Sequence, residues 1–152
     1  MSRADADSDL AGELAAAAGQ LLLELRRLRR GSAPELGALG DRRSHAFLAA
    51  ELAHRRPGEA VLSEEAVDDP ARLTAEPVWI VDPLDGTREF SEPDRDDWAV
   101  HVALCESGRL AAGAVALPAR GVTLRTPAVA LADRRAGPPR LVVSRTRPPA
   151  GG

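Results

Sequence analysis

The stretch Trp79-Ile80-Val81-Asp82-Pro83-Leu84-Asp85-Gly86-Thr87 carries the strongest structural signal in this chain. Its apolar start predicts a buried strand over about Val78–Asp82, which delivers Asp82 at the carboxyl end. Because Pro83 turns the chain, we expect Asp85 to come round to the same side as Asp82. Two carboxylates placed in this way can bridge hard divalent cations, which take oxygen ligands.

The residues after the turn add further groups suited to an ionic ligand. The backbone carbonyl of Leu84 points into the turn and can act as a neutral metal ligand. Gly86 permits close approach of the chain, and Thr87 lies where a helix would begin. Amides at such a position can hold a phosphate oxygen. The alternative is that Asp82 and Asp85 simply cap a turn, as Asp-Gly pairs often do.

A second acidic motif favours the metal interpretation over the turn cap. Ala60–Ser63 is predicted to form a short strand, and Glu64 and Glu65 follow it directly. If this strand neighbours the one that ends at Asp82, three or four carboxylates surround one point. Such a cluster is too repulsive to persist without cations, and it therefore indicates a metal site.

The remaining pattern predicts an α+β fold in which helices are layered on an antiparallel sheet. Two amphipathic segments precede a run of short alternating strands, and no βαβ dinucleotide-binding unit is present. The predicted helices cover about Asp7–Arg30 and Asp41–Arg55, and the further strands cover Trp98–Leu104, Leu110–Leu117, Gly121–Thr126 and Leu141–Ser144. The Gly-, Ala- and Pro-rich segment between the helices is expected to be a loop.

Composition narrows the range of partners. The chain has 152 residues, a net charge of -3 and one cysteine. This charge offers no general attraction to nucleic acid or to anionic membranes, so neither is expected as a partner. The single Cys105 excludes an intrachain disulfide, and it is interpreted as a small buried strand residue. The first ten residues are acidic where a signal peptide would be basic, and a cytoplasmic protein is expected.

The two acidic motifs resemble those of the inositol-monophosphatase-like superfamily. Asp82-Pro83-Leu84-Asp85-Gly86-Thr87 resembles its signature, and Leu62-Ser63-Glu64-Glu65 resembles its preceding acidic motif, with matching order and spacing. Arg88-Glu89-Phe90 and Asp97-Trp98-Ala99-Val100 are similar to the CysQ-type 3′(2′),5′-bisphosphate nucleotidase branch. The resemblance implies Mg²⁺ as cofactor and a small phosphorylated molecule as substrate.

The resemblance also implies roles for individual residues. The implied Mg²⁺ ligands are Glu64, Asp82, the Leu84 carbonyl and Asp85. Gly86 and Thr87 would hold the substrate phosphate. Thr87, Asp41 and Glu64 are the implied catalytic residues, with the Thr87 hydroxyl and the Asp41 carboxylate orienting the attacking water. Asp41 is expected just before the second helix, and a plain helix N-cap is an equally good interpretation of it. The three histidines match no ligand spacing: His45 and His54 are expected on a helix surface and His101 on a strand.

The expected activity is Mg²⁺-dependent hydrolysis of 3′-phosphoadenosine 5′-phosphate to AMP and phosphate. Inositol 1-phosphate or fructose 1,6-bisphosphate are alternative substrates, and a catalytically incomplete remnant that only binds metal is a further alternative. Residues 1–144 are expected to form an N-terminal metal-binding domain and residues 145–152 an unstructured tail. The family's C-terminal domain is expected to be absent, so that this chain alone has little turnover. A homodimer is left open.

Overall fold

A computed structural model describes residues 2–28, 32–66, 70 and 75–127 of the chain. The predicted strand over Leu141–Ser144 and the predicted tail lie outside these residues. The helices are α1 (Arg3–Leu28), α2 (Ala33–Arg55) and the short α3 (Thr87–Ser91). The strands are β1 (Ala60–Ser63), β2 (Val78–Asp85), β3 (Ala99–Glu106), β4 (Arg109–Leu117) and β5 (Val122–Arg125).

The strands form one five-stranded sheet in the order β1-β2-β3-β4-β5. The predicted antiparallel meander is confirmed for β3 to β5, and β2 also pairs with β3 in the antiparallel sense. The prediction of a wholly antiparallel sheet is wrong at one edge, because β1 pairs with β2 in parallel, with Ser63 opposite Val81. Parallel neighbours end at the same edge of a sheet. The sheet therefore brings the ends of β1 and β2 together, as the acidic motifs had indicated.

The helices α1 and α2 cover one face of this sheet. The period-two pattern of β3 is confirmed, since Trp98, Val100, Val102 and Leu104 are all buried against the helices. The large side chain of Trp79 from β2 is fully buried in the same core. Burial of such aromatic and branched side chains is the main favourable contribution to folding. The opposite face of the sheet carries the outward-pointing residues of β2 and β3, including Asp82 and His101.

Helix α2 begins eight residues earlier than predicted, and the segment expected to be a loop is its first part. Ser32 precedes the helix, and its amide donates a hydrogen bond to the Glu35 carboxylate at 2.7 Å. Pro34 is compatible with a first helical turn, where an amide hydrogen has no partner within the helix. A Cβ atom at Gly40 would lie 2.8 Å from the Phe90 ring. The glycines that suggested a loop are instead needed for close packing of α2 against α3.

None of the helices in the described part of the chain is long and apolar enough to span a membrane.

Candidate active site

The carboxyl ends of β1 and β2 form one wall of an open pocket of about 560 Å³. Glu64 follows β1 directly, and β2 supplies Asp82 and Asp85. These three carboxylates line the pocket together with His101 of β3, and the remaining lining is mostly apolar. The structure thus brings together both predicted acidic motifs.

The strand β2 runs to Asp85 rather than ending at Asp82 as predicted, and an irregularity in its pairing with β3 between Asp82 and Asp85 arranges the groups of the second motif. The Leu84 amide donates a hydrogen bond to Asp82 Oδ1 at 3.2 Å, so the backbone folds back over the carboxylate. Gly86 has a φ of +79°, a conformation that disfavours residues with a side chain, and it precedes the first turn of α3. The Thr87 hydroxyl lies 3.2 Å from the Leu84 carbonyl oxygen. The predicted helix start at Thr87 is confirmed.

Asp41 lies within α2 rather than before it, so both the position predicted for it and the N-cap interpretation are wrong. The helix begins at Ala33, and Asp41 is reached two turns later. From there its Oδ1 accepts a hydrogen bond from the Thr87 hydroxyl at 3.2 Å. The structure therefore brings Asp41 and Thr87 together, and their role in orienting water stays a prediction.

Two carboxyl groups at the site, those of Asp82 and Asp41, have raised pKa values. Burial raises the pKa of Asp82, and the negative charges of Glu64 and Asp85 raise it further. Burial also raises the pKa of Asp41 to about 6, with the charge of Glu65 as the next cause, while the hydrogen bond from Thr87 acts in the opposite direction. Like charges held close together favour protonation or a bound cation. The negative charges at the site therefore favour the binding of a cation.

The donor set fits Mg²⁺ in kind. Carboxylates and a backbone carbonyl are the hard oxygen donors that Mg²⁺ takes, and the pocket has no cysteine among its lining residues. In the described residues, however, no three histidine, cysteine or carboxylate side chains form a group that could hold a metal ion as they lie. The acidic side chains line the pocket wall without forming such a group. Ion binding would require rotation of these side chains, of which Asp85 is 61% exposed.

Two histidines contact this region in ways that the sequence did not indicate. His101 Nε2 lies 3.2 Å from Asp85 Oδ2, and His101 is the cross-strand neighbour of Asp82. His45 Nδ1 lies 2.9 Å from the hydroxyl of Ser63, so His45 is not simply a surface residue. The sequence placed His101 on a strand but did not specify the register of that strand against β2, so it could not show that His101 meets Asp85. His54 is exposed on α2, as predicted.

Residues 7–136 match the family described as "Inositol monophosphatase family". The chain belongs to this family. It is 53% identical over 143 residues to a "3'-phosphoadenosine 5'-phosphate phosphatase" of Mycobacterium bovis, an alignment that covers 88% of this chain and 54% of the relative. The protein of the same name from Mycobacterium leprae is 50% identical over 157 residues, covering 94% of this chain and 58% of the relative.

Solved structures of the family share the fold. The SuhB protein of Mycobacterium tuberculosis superposes with a TM-score of 0.65 and 27% sequence identity, covering 78% of this chain and 43% of SuhB. The chain spans about half the length of the curated relatives that it matches. The fold and the family are thereby established for this portion.

Proposed function

We propose that this chain supplies the metal-binding portion of a Mg²⁺-dependent phosphomonoesterase that converts 3′-phosphoadenosine 5′-phosphate to AMP and phosphate. The observation that carries the proposal is the 53% identity to a mycobacterial phosphatase of that substrate, over 88% of this chain. The pocket supports it, because both acidic motifs meet there. Since the chain spans about half of such relatives, the activity is proposed for the whole enzyme.

Each residue of the site has a proposed role. Glu64, Asp82, Asp85 and the Leu84 carbonyl would hold Mg²⁺. Bound Mg²⁺ would supply a Lewis acid that activates water and neutralises phosphoryl charge. The amides of Gly86 and Thr87 would bind the substrate phosphate. The Asp41 carboxylate accepts the hydrogen bond of the Thr87 hydroxyl, which leaves a lone pair on the Thr87 oxygen free to accept a hydrogen bond from the attacking water and so orient it.

The test is phosphate release from 3′-phosphoadenosine 5′-phosphate, measured with and without Mg²⁺. The chain is assayed alone and after its fusion to the C-terminal portion of the Mycobacterium bovis relative. Inositol 1-phosphate and fructose 1,6-bisphosphate serve as competing substrates. We expect the fusion to release phosphate from the nucleotide only in the presence of Mg²⁺, and the chain alone to release little.

The control variant is Asp82→Asn, which removes one charge and keeps the size of the side chain. It should abolish release by the fusion. Faster release from inositol 1-phosphate than from the nucleotide would assign the chain to the other substrate class. Phosphate release that does not depend on Mg²⁺, or that is unchanged in Asp82→Asn, would contradict the proposed chemistry.

A further inference from the structure

One face of α2 contacts three segments at the two acidic motifs, namely the ends of β1 and β2 and the start of α3. Asp41, Ser44 and His45 are three and four positions apart, a spacing that places their side chains on the same side of a helix. Asp41 contacts Thr87, Ser44 contacts Pro83, and His45 contacts Ser63. A single rigid helix therefore bonds to the ends of β1 and β2 and to the start of α3.

The contact of Ser44 compensates for an interruption in the sheet. Pairing between β2 and β3 shifts register between Asp82 and Asp85, so the ladder offers no regular partner there. The Pro83 carbonyl lies in this interval, and a buried carbonyl needs a hydrogen-bond donor. The Ser44 hydroxyl, which is fully buried, donates to it at 2.7 Å. Ser44 thereby fixes Pro83, the residue between Asp82 and Leu84, which supply the carboxylate and the carbonyl of the second motif.

The contact of His45 acts on the other acidic motif. Its Nδ1 atom lies 2.9 Å from the hydroxyl of Ser63, which is the last residue of β1 and only 4% exposed. The same hydroxyl accepts a longer hydrogen bond of 3.4 Å from the amide of Glu65. The His45 imidazole thus fixes the Ser63 side chain, and the Ser63 hydroxyl restrains the turn that carries Glu64 and Glu65.

We propose that Ser44 and His45 are positioning residues that set the separation of the two acidic motifs, so that cation affinity in the pocket depends on α2. The inference rests on the proposed function, because it takes Glu64 and Asp82 as ligands of one metal centre. Neither residue touches the substrate or the metal in this scheme. Residues that orient ligands in this way commonly change metal affinity by about 10- to 100-fold when they are replaced.

The first experiment titrates the metal-free chain with Mg²⁺ by isothermal calorimetry, well below its unfolding temperature. Ser44→Ala and His45→Leu should each bind Mg²⁺ about tenfold more weakly than the wild-type chain, or worse. His45→Asn, which keeps a polar atom near the position of Nδ1, should retain most of the affinity. Leu52→Val is the matched control, because Leu52 is buried on the same helix without contacting the pocket.

The second experiment needs no metal. Hydrogen exchange in the metal-free chain should become faster at residues 63–66 in His45→Leu and at residues 82–87 in Ser44→Ala, because each turn loses its contact with α2. Leu52→Val should change exchange along α2 and leave both turns as they are.

The outcomes separate the two proposals. Mg²⁺ binding that is lost in Asp82→Asn but unchanged in Ser44→Ala and His45→Leu would leave the metal site standing and overturn the positioning role. Loss of affinity in Leu52→Val to the same extent would also overturn it, since general destabilisation would then explain the effect. Wild-type binding no stronger than that of Asp82→Asn would refute the proposed metal centre, and with it this inference. Unchanged exchange in both turns would refute the positioning role without reference to metal.

Discussion

The Thr87 hydroxyl donates a hydrogen bond to the Asp41 carboxylate across 3.2 Å, although the two residues are 46 positions apart in the chain. The bond joins the middle of α2 to the first residue of α3. It favours the charged form of Asp41, yet burial and the neighbouring carboxylates outweigh it and raise the pKa to about 6. Asp41 is therefore close to titration at neutral pH.

Replacement of Asp41 by asparagine should stabilise the metal-free chain at neutral pH. The carboxyl group has an ordinary pKa of 3.8 and a folded-state pKa of about 6, so the folded state binds the proton more tightly. The resulting stability is complete below pH 3.8 and is lost as the pH rises through 6. Asparagine keeps an oxygen that can accept the Thr87 hydrogen bond and carries no charge. We expect a melting temperature that is a few degrees higher than wild type at pH 7.5 and unchanged near pH 3.5.

The control for this experiment is Asp94→Asn, since Asp94 is exposed and does not line the pocket. It should not reproduce the pH dependence. A lower melting temperature of Asp41→Asn at pH 7.5 would show that the carboxylate is stabilised in the folded chain. If Asp41 has the proposed role, the Asp41→Asn variant of the active fusion should lose phosphate release despite its higher stability.

Replacement of His101 by leucine should weaken Mg²⁺ binding by about tenfold, in line with other residues that orient metal-binding carboxylates. The Asp85 side chain is 61% exposed, and the contact of 3.2 Å with His101 Nε2 keeps it beside the pocket that both residues line. The measurement is the rise in melting temperature on addition of Mg²⁺, which reports binding to the folded state. His101→Asn, which retains a donor, should show a smaller loss. Equal Mg²⁺ effects in wild type and His101→Leu would contradict the assignment.

Replacement of Gly86 by alanine should destabilise the chain more than replacement of Gly58. Both glycines have positive φ angles, of +79° and +86°, so each substitution carries a backbone cost of about 1–2 kcal/mol. A Cβ atom at Gly86 would also lie 3.2 Å from the Asp97 carbonyl oxygen, whereas one at Gly58 would meet nothing within 4 Å. The difference between the two free energies of unfolding in urea isolates the packing contribution. Equal losses would show that the backbone around Gly86 yields without cost.

Replacement of Asp7 by asparagine should lower the free energy of unfolding by about 1.5–3 kcal/mol, the range for hydrogen bonds to charged groups. The Asp7 side chain is only 6% exposed and accepts a hydrogen bond of 2.6 Å from Arg56. This pair joins the start of α1 to the residue after α2. Urea denaturation measures the loss.

The matched control is Glu24→Gln. Glu24 forms an ion pair with Arg27 at the same distance of 2.6 Å, but its side chain is 55% exposed. Exposed pairs contribute little because water and salt screen them. We expect no measurable change in this variant, and a loss equal to that of Asp7→Asn would contradict the role of burial.

Local sequence pattern was sufficient for the elements that carry the site. The alternation of β3 placed Trp98 and Val100 in the core, and both are buried. The second motif placed Asp82 on β2 and Thr87 at the start of α3, although β2 continues past Asp82 to Asp85. These features follow from periodicities of two residues and from the turn preference of proline and glycine, which act between neighbours in the chain.

Contacts between distant segments decided the rest. The parallel pairing of β1, the helical conformation of the Gly-rich start of α2, and the neighbours of three side chains on α2 all depend on packing between elements. Gly40 illustrates the reason. By composition it suggests a loop, but it is helical here, and the side chains of Phe90 and Leu84 pack closely against the α2 backbone at its position. His101 faces Asp85 because two strands pair in one register, which no local pattern specifies. Interactions between residues that are close in the sequence determine most of the helices and strands, whereas the packing of these helices and strands determines which side chains meet.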